Sequence, residues 1–251
     1  MKNKISGKIV ALLLTLIIVA TSGMPLYAKE TGDKANSFRY ENGQSIAKAV
    51  PFSTLSPNAW KKIDGKYYSG DGSVIEGAVA KGIDVSHHQG TVDWKKAKED
   101  GVEFAIIRCG FGMNQTKQDD AQWFNNVKGC EENNIPYGVY LYSYADTVKK
   151  AQSEAEHVLR LIKGHTLAYP VYYDIEEKAV LNKLTAEQLG KIAATFVNKV
   201  KAEGYQTGIY SNKSNFETFL TDSQFSQWNK WVAQYNSAAC TYKGTYQIWQ
   251  G

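Results

Sequence analysis

The chain has 251 residues, 43% of them hydrophobic and 22% charged. That composition excludes a collagen-like, coiled-coil or wholly disordered protein, and the length suits one large domain or two small ones. The formal charge of +4 includes Lys2, Lys4 and Lys8 from the first 28 residues, which hold no acid, so loss of that segment leaves +1. A near-neutral chain has no electrostatic case for nucleic acid as its partner. Sixteen Tyr and six Trp point to a large aromatic core or to a surface that stacks on flat ligands, sugars among them.

In chain order, residues 1–28 have the layout of an export signal. A lysine-bearing start precedes the apolar run IVALLLTLIIVA at 9–20, and a Leu-Tyr-Ala cleavage pattern closes at Ala28. The run is shorter than the roughly 20 apolar residues needed to span a bilayer. The mature protein is therefore expected to be secreted, with no membrane contact after cleavage. Residues 29–79 are polar, and within them WKKIDGKYYSGDG at 60–72 reads as a hairpin turning at Asp64-Gly65. One such aromatic and glycine unit is too few for a repeat solenoid, which needs about three or more. It is read as a linker whose hairpin packs on the next domain. Cys109, Cys130 and Cys240 are too scattered for a disulfide framework and are expected as unpaired thiols.

From residue 80 to 251 strands alternate with helices. Strands are predicted at 81–86, 104–110, 136–144, 169–176, 207–211, 230–235 and 246–250, and helices at 94–100, 119–133, 147–162 and 185–203. The last helix opens with a Thr185 to Gln188 capping box and stops at Gly204. This order predicts an α/β fold of parallel strands. A TIM-like β/α barrel fits better than a doubly wound sheet, because acidic and aromatic residues recur at strand C-termini and no phosphate-binding glycine motif follows the first strand.

The strongest chemical signal is YYDIEE at 172–177. Residues two apart on a strand point the same way, about 6.7 Å from each other. Asp174 and Glu176 thus share a wall, while Glu177 is expected to be solvated. Two carboxylates on one wall push their pKa values apart, as acid catalysis on a glycosidic bond requires. Asp84 lies inside the apolar first strand, where a carboxylate needs a partner or a role. His87 and His88 are adjacent and point apart in an extended chain, with no third ligand nearby, so neither a metal nor a cofactor is expected.

The ordered blocks KGIDVSHHQG, VDWKKAKEDGVEFAIIRCGFG, YGVYLYSYA, YPVYYDIE, GIYSN and WVAQY resemble family 25 of the glycoside hydrolases. Those are lysozymes that cut the β-1,4 bond after N-acetylmuramic acid in peptidoglycan. The resemblance covers residues 80–251 and not 29–79. It implies a compact, flattened barrel, with Glu176 as general acid, Asp174 as partner carboxylate and Asp84 as a third groove carboxylate. It further implies that Tyr210, Tyr142 and Arg108 bind substrate, that peptidoglycan glycan strands are the partner, and that no cofactor is needed. A monomer is the default state. Carboxylate spacing decides between substrate-assisted attack by the 2-acetamido group, with Asp174 orienting it, and inverting attack by water.

One departure stands out. Family members continue past YQIWQ into an eighth strand bearing a Val-Asp pair, whereas this chain stops at Gly251. A truncated barrel with two exposed edges is expected. The competing readings are a non-catalytic wall-binding protein, inactivated by that missing strand, and a metal-dependent hydrolase using His87, His88 and Asp84.

Overall fold

The computed structural model describes residues 40–41, 44–45, 60–235 and 239–251. The export signal expected at 1–28 lies outside the described residues. Strands β1 (Gly82–Val85), β2 (Phe104–Phe111), β3 (Tyr137–Tyr142), β4 (Val171–Asp174), β5 (Thr207–Asn212), β6 (Asn229–Ala233) and β7 (Ile248–Gln250) form one seven-stranded sheet in sequence order. Every pairing in it is parallel. Helices α1 (Trp94–Glu99), α2 (Trp123–Glu132), α3 (Val148–Ile162), α4 (Lys178–Leu181), α5 (Ala186–Ala202) and α6 (Lys213–Thr218) lie between them. The expected α/β alternation is present, and the sheet curls into a partial barrel. Two short helices, α4 and α6, are additions to the predicted elements; each is too short to show a helical period.

The two-residue strand period sorts the side chains into two cores. One face carries Val85, Ala105, Ile107, Val139, Leu141, Val171, Tyr173, Ile209 and Val232 under the helices. Tyr173 stacks there on Phe196 of α5 with ring centroids 3.9 Å apart. The other face carries Phe104, Ile106, Tyr140, Tyr172, Tyr210, Trp231 and Ala233. This inner core is aromatic: Trp231 meets Tyr140, Tyr172 and Tyr210 at 5.6, 5.5 and 4.4 Å. Gly208 makes room for it, since a Cβ there would lie 2.5 Å from the Tyr172 ring.

The local signals hold in detail. Thr185 accepts from the Gln188 amide and the Gln188 side chain caps Thr185 in return. Asp64 and Gly65 both have positive φ, 49° and 76°, as a type I′ turn requires. That turn joins the hairpin strands Lys61–Ile63 and Lys66–Tyr68. The hairpin docks on the barrel through the Tyr67 hydroxyl, whose single proton is shared between Glu103 at 2.7 Å and the Val79 carbonyl at 2.9 Å. Lys62 pairs with the same Glu103, and the Lys81 amide donates to it. Burial pushes the Glu103 carboxyl up, but these donors outweigh it and hold the group at about 2. Trp60, at the start of the hairpin, packs on Trp249 of β7 with centroids 4.5 Å apart.

An eighth, closing strand is absent among the described residues, and β1 and β7 end the sheet without pairing to each other. The two edges nevertheless meet at the barrel mouth, where Gln250 Nε2 donates to Asp84 Oδ1 at 2.6 Å. The hairpin reaches β7 through Trp60 and the start of β1 through Tyr67 and Glu103, so it flanks the same seam. All three cysteines are free, with Cys109 and Cys130 buried. No described helix is long and apolar enough to cross a membrane.

Candidate active site

The acidic residues gather at the C-terminal ends of the strands. Asp84 pairs in register with Ile106 and Asp174 with Tyr210, and both partners belong to the inner aromatic core. Both carboxylates therefore face the barrel interior. Asp174 is the last residue of β4, and Glu176 follows on the segment that leaves it. That segment is fastened on both sides. The Ser143 amide donates to the Asp174 carbonyl at 2.9 Å, and the Ile175 amide to the Tyr210 carbonyl at 3.0 Å. Ser211 Oγ then donates to the Ile175 carbonyl at 2.7 Å.

Glu176 is held near Asp174 and is 7% exposed, against 1% for Asp174. Burial raises the Asp174 pKa well above the usual carboxylate range, and the charges of Glu176 and Asp84 add to it while Arg108 opposes. Burial likewise lifts Asp84 to about 7, with its Gln250 hydrogen bond pulling the other way. Asp84 Oδ2, Asp174 Oδ1 and Gln250 Oε1 are buried without a hydrogen-bond partner in the chain. Buried polar atoms are seldom left so, and their gathering in this mouth suits a polar ligand.

Tyr142 and Tyr210 both join this cluster. Their hydroxyls are kept protonated by burial and by the nearby charges of Glu176 and Asp174. Arg108 is also on the inner face of β2, but its guanidinium is only 2% exposed and its Nε donates to Asp120 Oδ2 at 2.7 Å. His87 joins the same Asp120 at 3.3 Å. Arg108 is thus held within the inner wall as a fixed positive charge near Asp174. Burial would raise Asp120, but His87 and Arg108 outweigh it and hold it at about 2. His88 is pushed down to about 4 by burial and by Arg108. Among the described residues no three His, Cys, Asp or Glu side chains are arranged to hold a metal ion.

Glu177 departs from expectation. It is 2% exposed rather than solvated, because its side chain accepts from the Ala179 amide as the N-cap of α4 and from the Tyr142 hydroxyl. Three contributors escaped the sequence reading. Gln250 touches Asp84 only because the sheet curls. Tyr235, just past β6, is 44% exposed as a residue, but its hydroxyl reaches inward toward Tyr210, where desolvation and the charges of Asp84 and Glu176 keep it protonated. Glu154 of α3 is fully buried and fastens the rim after β3, accepting from Ser143, Tyr173 and the Tyr144 amide at 2.8, 2.5 and 2.9 Å.

The profile described as glycosyl hydrolases family 25 matches residues 83–250, two thirds of the chain. An autolytic lysozyme of Clostridium acetobutylicum is 28% identical over 155 residues, covering 62% of this chain and 45% of that one. The modular autolysin LytC of Streptococcus pneumoniae, solved also in complex with a synthetic peptidoglycan ligand, superposes with a TM-score of 0.65 at 32% identity. That match covers 76% of this chain and 47% of LytC. A family 25 glycosyl hydrolase from Bacillus anthracis shares the fold at a TM-score of 0.60 and 19% identity, over 68% of this chain and 78% of that one. The chain spans about half the length of the first two relatives. With the profile running from within β1 to the end of β7, this chain belongs to family 25 of the glycosyl hydrolases.

Proposed function

We propose that this chain is an exported 1,4-β-N-acetylmuramidase, hydrolysing the bond between N-acetylmuramic acid and N-acetylglucosamine in peptidoglycan. The observation that carries the reading is the Asp174 and Glu176 pair, buried together at the end of β4 with the charge of one raising the pKa of the other. Such a pair retains one proton near neutral pH, which is what protonation of a leaving glycosidic oxygen needs. The two carboxyls hold that proton in common, and in the form that carries it on Glu176, the more accessible member, Glu176 delivers it as general acid. Asp174 then faces the sugar carbon as the charge that stabilises its developing positive character. Asp84 supports the same face, and Tyr142 and Tyr210 line the cleft with Arg108 buried beside Asp174. Membership of the family and the peptidoglycan ligand solved with LytC support the substrate class.

The test is release of reducing ends from purified peptidoglycan by residues 29–251, with mass analysis of the fragments. N-acetylmuramic acid at the new reducing end is expected. Glu176→Gln should lower the rate by about 10²- to 10⁴-fold while the thermal unfolding midpoint stays put; substantial residual lysis would remove Glu176 from the acid role. Wall binding without any release would replace the reading with that of a binding protein. Export is tested by the N-terminus of protein recovered from the medium or wall, expected at Lys29.

A further inference from the structure

We propose that Gln250 is a positioning and substrate-reading residue of this site, its amide clamping Asp84 from the opposite edge of the sheet and offering its carbonyl oxygen to the bound sugar. The inference rests on the muramidase reading for its substrate and on geometry for its position. Gln250 lies 166 residues from Asp84, on the last strand of the sheet, while Asp84 is on the first. Curling of the sheet brings Nε2 to 2.6 Å from Asp84 Oδ1. The backbone of Gln250 is pinned where this requires it: its carbonyl accepts from the Gln234 amide at 2.8 Å, and its register partner on β6 is the small Ala233.

An amide has two ends, and only one is used inside the chain. Oε1 is buried with no partner, as is Oδ2 of the Asp84 it holds. One unpartnered acceptor on each residue of a clamped pair, both shut off from solvent, fits a ligand that brings donors. The hydroxyls and acetamido N–H of an N-acetylated sugar are such donors. Leaving the pair unsatisfied would cost what any buried polar group costs, so a sugar lacking the matching donor is disfavoured.

The groups around Asp84 are Arg108 from β2, which is held by Asp120, Tyr140 from β3, Asp174 at the end of β4, Tyr210 from β5 and Tyr235 after β6. Three are neutral phenols, one is a carboxylate and the cation is engaged by Asp120, so Gln250 is the side chain that favours ionised Asp84 at close range. Its loss therefore raises the Asp84 midpoint.

The experiment compares wild type with Gln250→Met, which keeps the shape and removes the amide. Carboxyl carbon NMR follows the titration of Asp84 without substrate, and kinetics follow cleavage of a synthetic tetrasaccharide of alternating N-acetylglucosamine and N-acetylmuramic acid. The expected result is a higher Asp84 midpoint and a kcat/KM lower by about 10- to 100-fold, much of it in KM, with the unfolding midpoint retained. Gln250→Glu, which puts a second carboxyl against Asp84, should move that midpoint further up. An Asp84 midpoint and kcat/KM both unchanged in Gln250→Met overturn the proposal, and a raised midpoint with unchanged KM overturns its substrate-reading half. If wild type leaves the tetrasaccharide intact, the muramidase reading fails and with it the substrate half; the NMR midpoint still decides the clamp.

Discussion

Glu154 is buried on α3 among hydroxyls and an amide, and burial raises its pKa from 4.5 to about 7 despite those donors. Its folded pKa lies above the unfolded one, so the stability tied to its proton is fully present below pH 4.5 and is lost as pH rises through about 7. Glu154→Gln should therefore gain stability relative to wild type between pH 4.5 and 7.5, by up to ~3 kcal/mol in urea unfolding. A wild type and variant with parallel pH profiles would contradict this. Asp120 is the opposite case: Asp120→Asn strips the charge partner from buried Arg108 and should cost about 3–5 kcal/mol in the same measurement. The strand period places Asp174 on the inner wall as read, whereas Glu176 lies past the end of β4 and owes its place beside Asp174 to the turn that leaves the strand. The sequence makes Asp84 legible because a carboxylate between Ile83 and Val85 has no local reason to be there. It hides Glu177, whose burial depends on capping a helix of only four residues. It hides Gln250 and Tyr235, whose roles come from curvature rather than from neighbours in the chain.

At the level of elements, the strands and long helices follow their apolar periods, and the Thr185 box and the Asp64-Gly65 turn appear as read. Strand ends were harder to read: the run 169–176 is a strand only from Val171 to Asp174, because its last residues turn to make the site. The hairpin is the element whose importance sequence could not show. It lies before the stretch matched by the family profile, yet three of its side chains, Trp60, Lys62 and Tyr67, grip the barrel. Trp60→Ala should lower stability by about 1–2 kcal/mol, and Tyr67→Phe by ~1 kcal/mol, both in thermal unfolding. Changes near zero in both would reduce the hairpin to a decoration.

Across the whole molecule, the inner face of the sheet is aromatic where the outer face is mostly aliphatic, and the carboxylates stand at the mouth of that aromatic interior. Space there is tight, so Gly208→Ala should cost about 1–3 kcal/mol by driving a methyl group into the Tyr172 ring. The recovered folding temperature of that variant, set beside the wild type, reads the cost directly. A chain shortened to residues 80–251 should likewise unfold at lower temperature than one starting at residue 29, because the seam between β1 and β7 loses the hairpin that flanks it.

The Trp60 and Trp249 rings that meet beside this seam are 4.5 Å apart and inclined at 48°. Two indoles so close and so tilted couple their electronic transitions, and a coupled pair gives paired circular-dichroism bands of opposite sign. Separation of the hairpin from β7 abolishes the coupling even while the rest of the sheet stays folded. The barrel thus contains its own optical gauge of whether its two edges are held together.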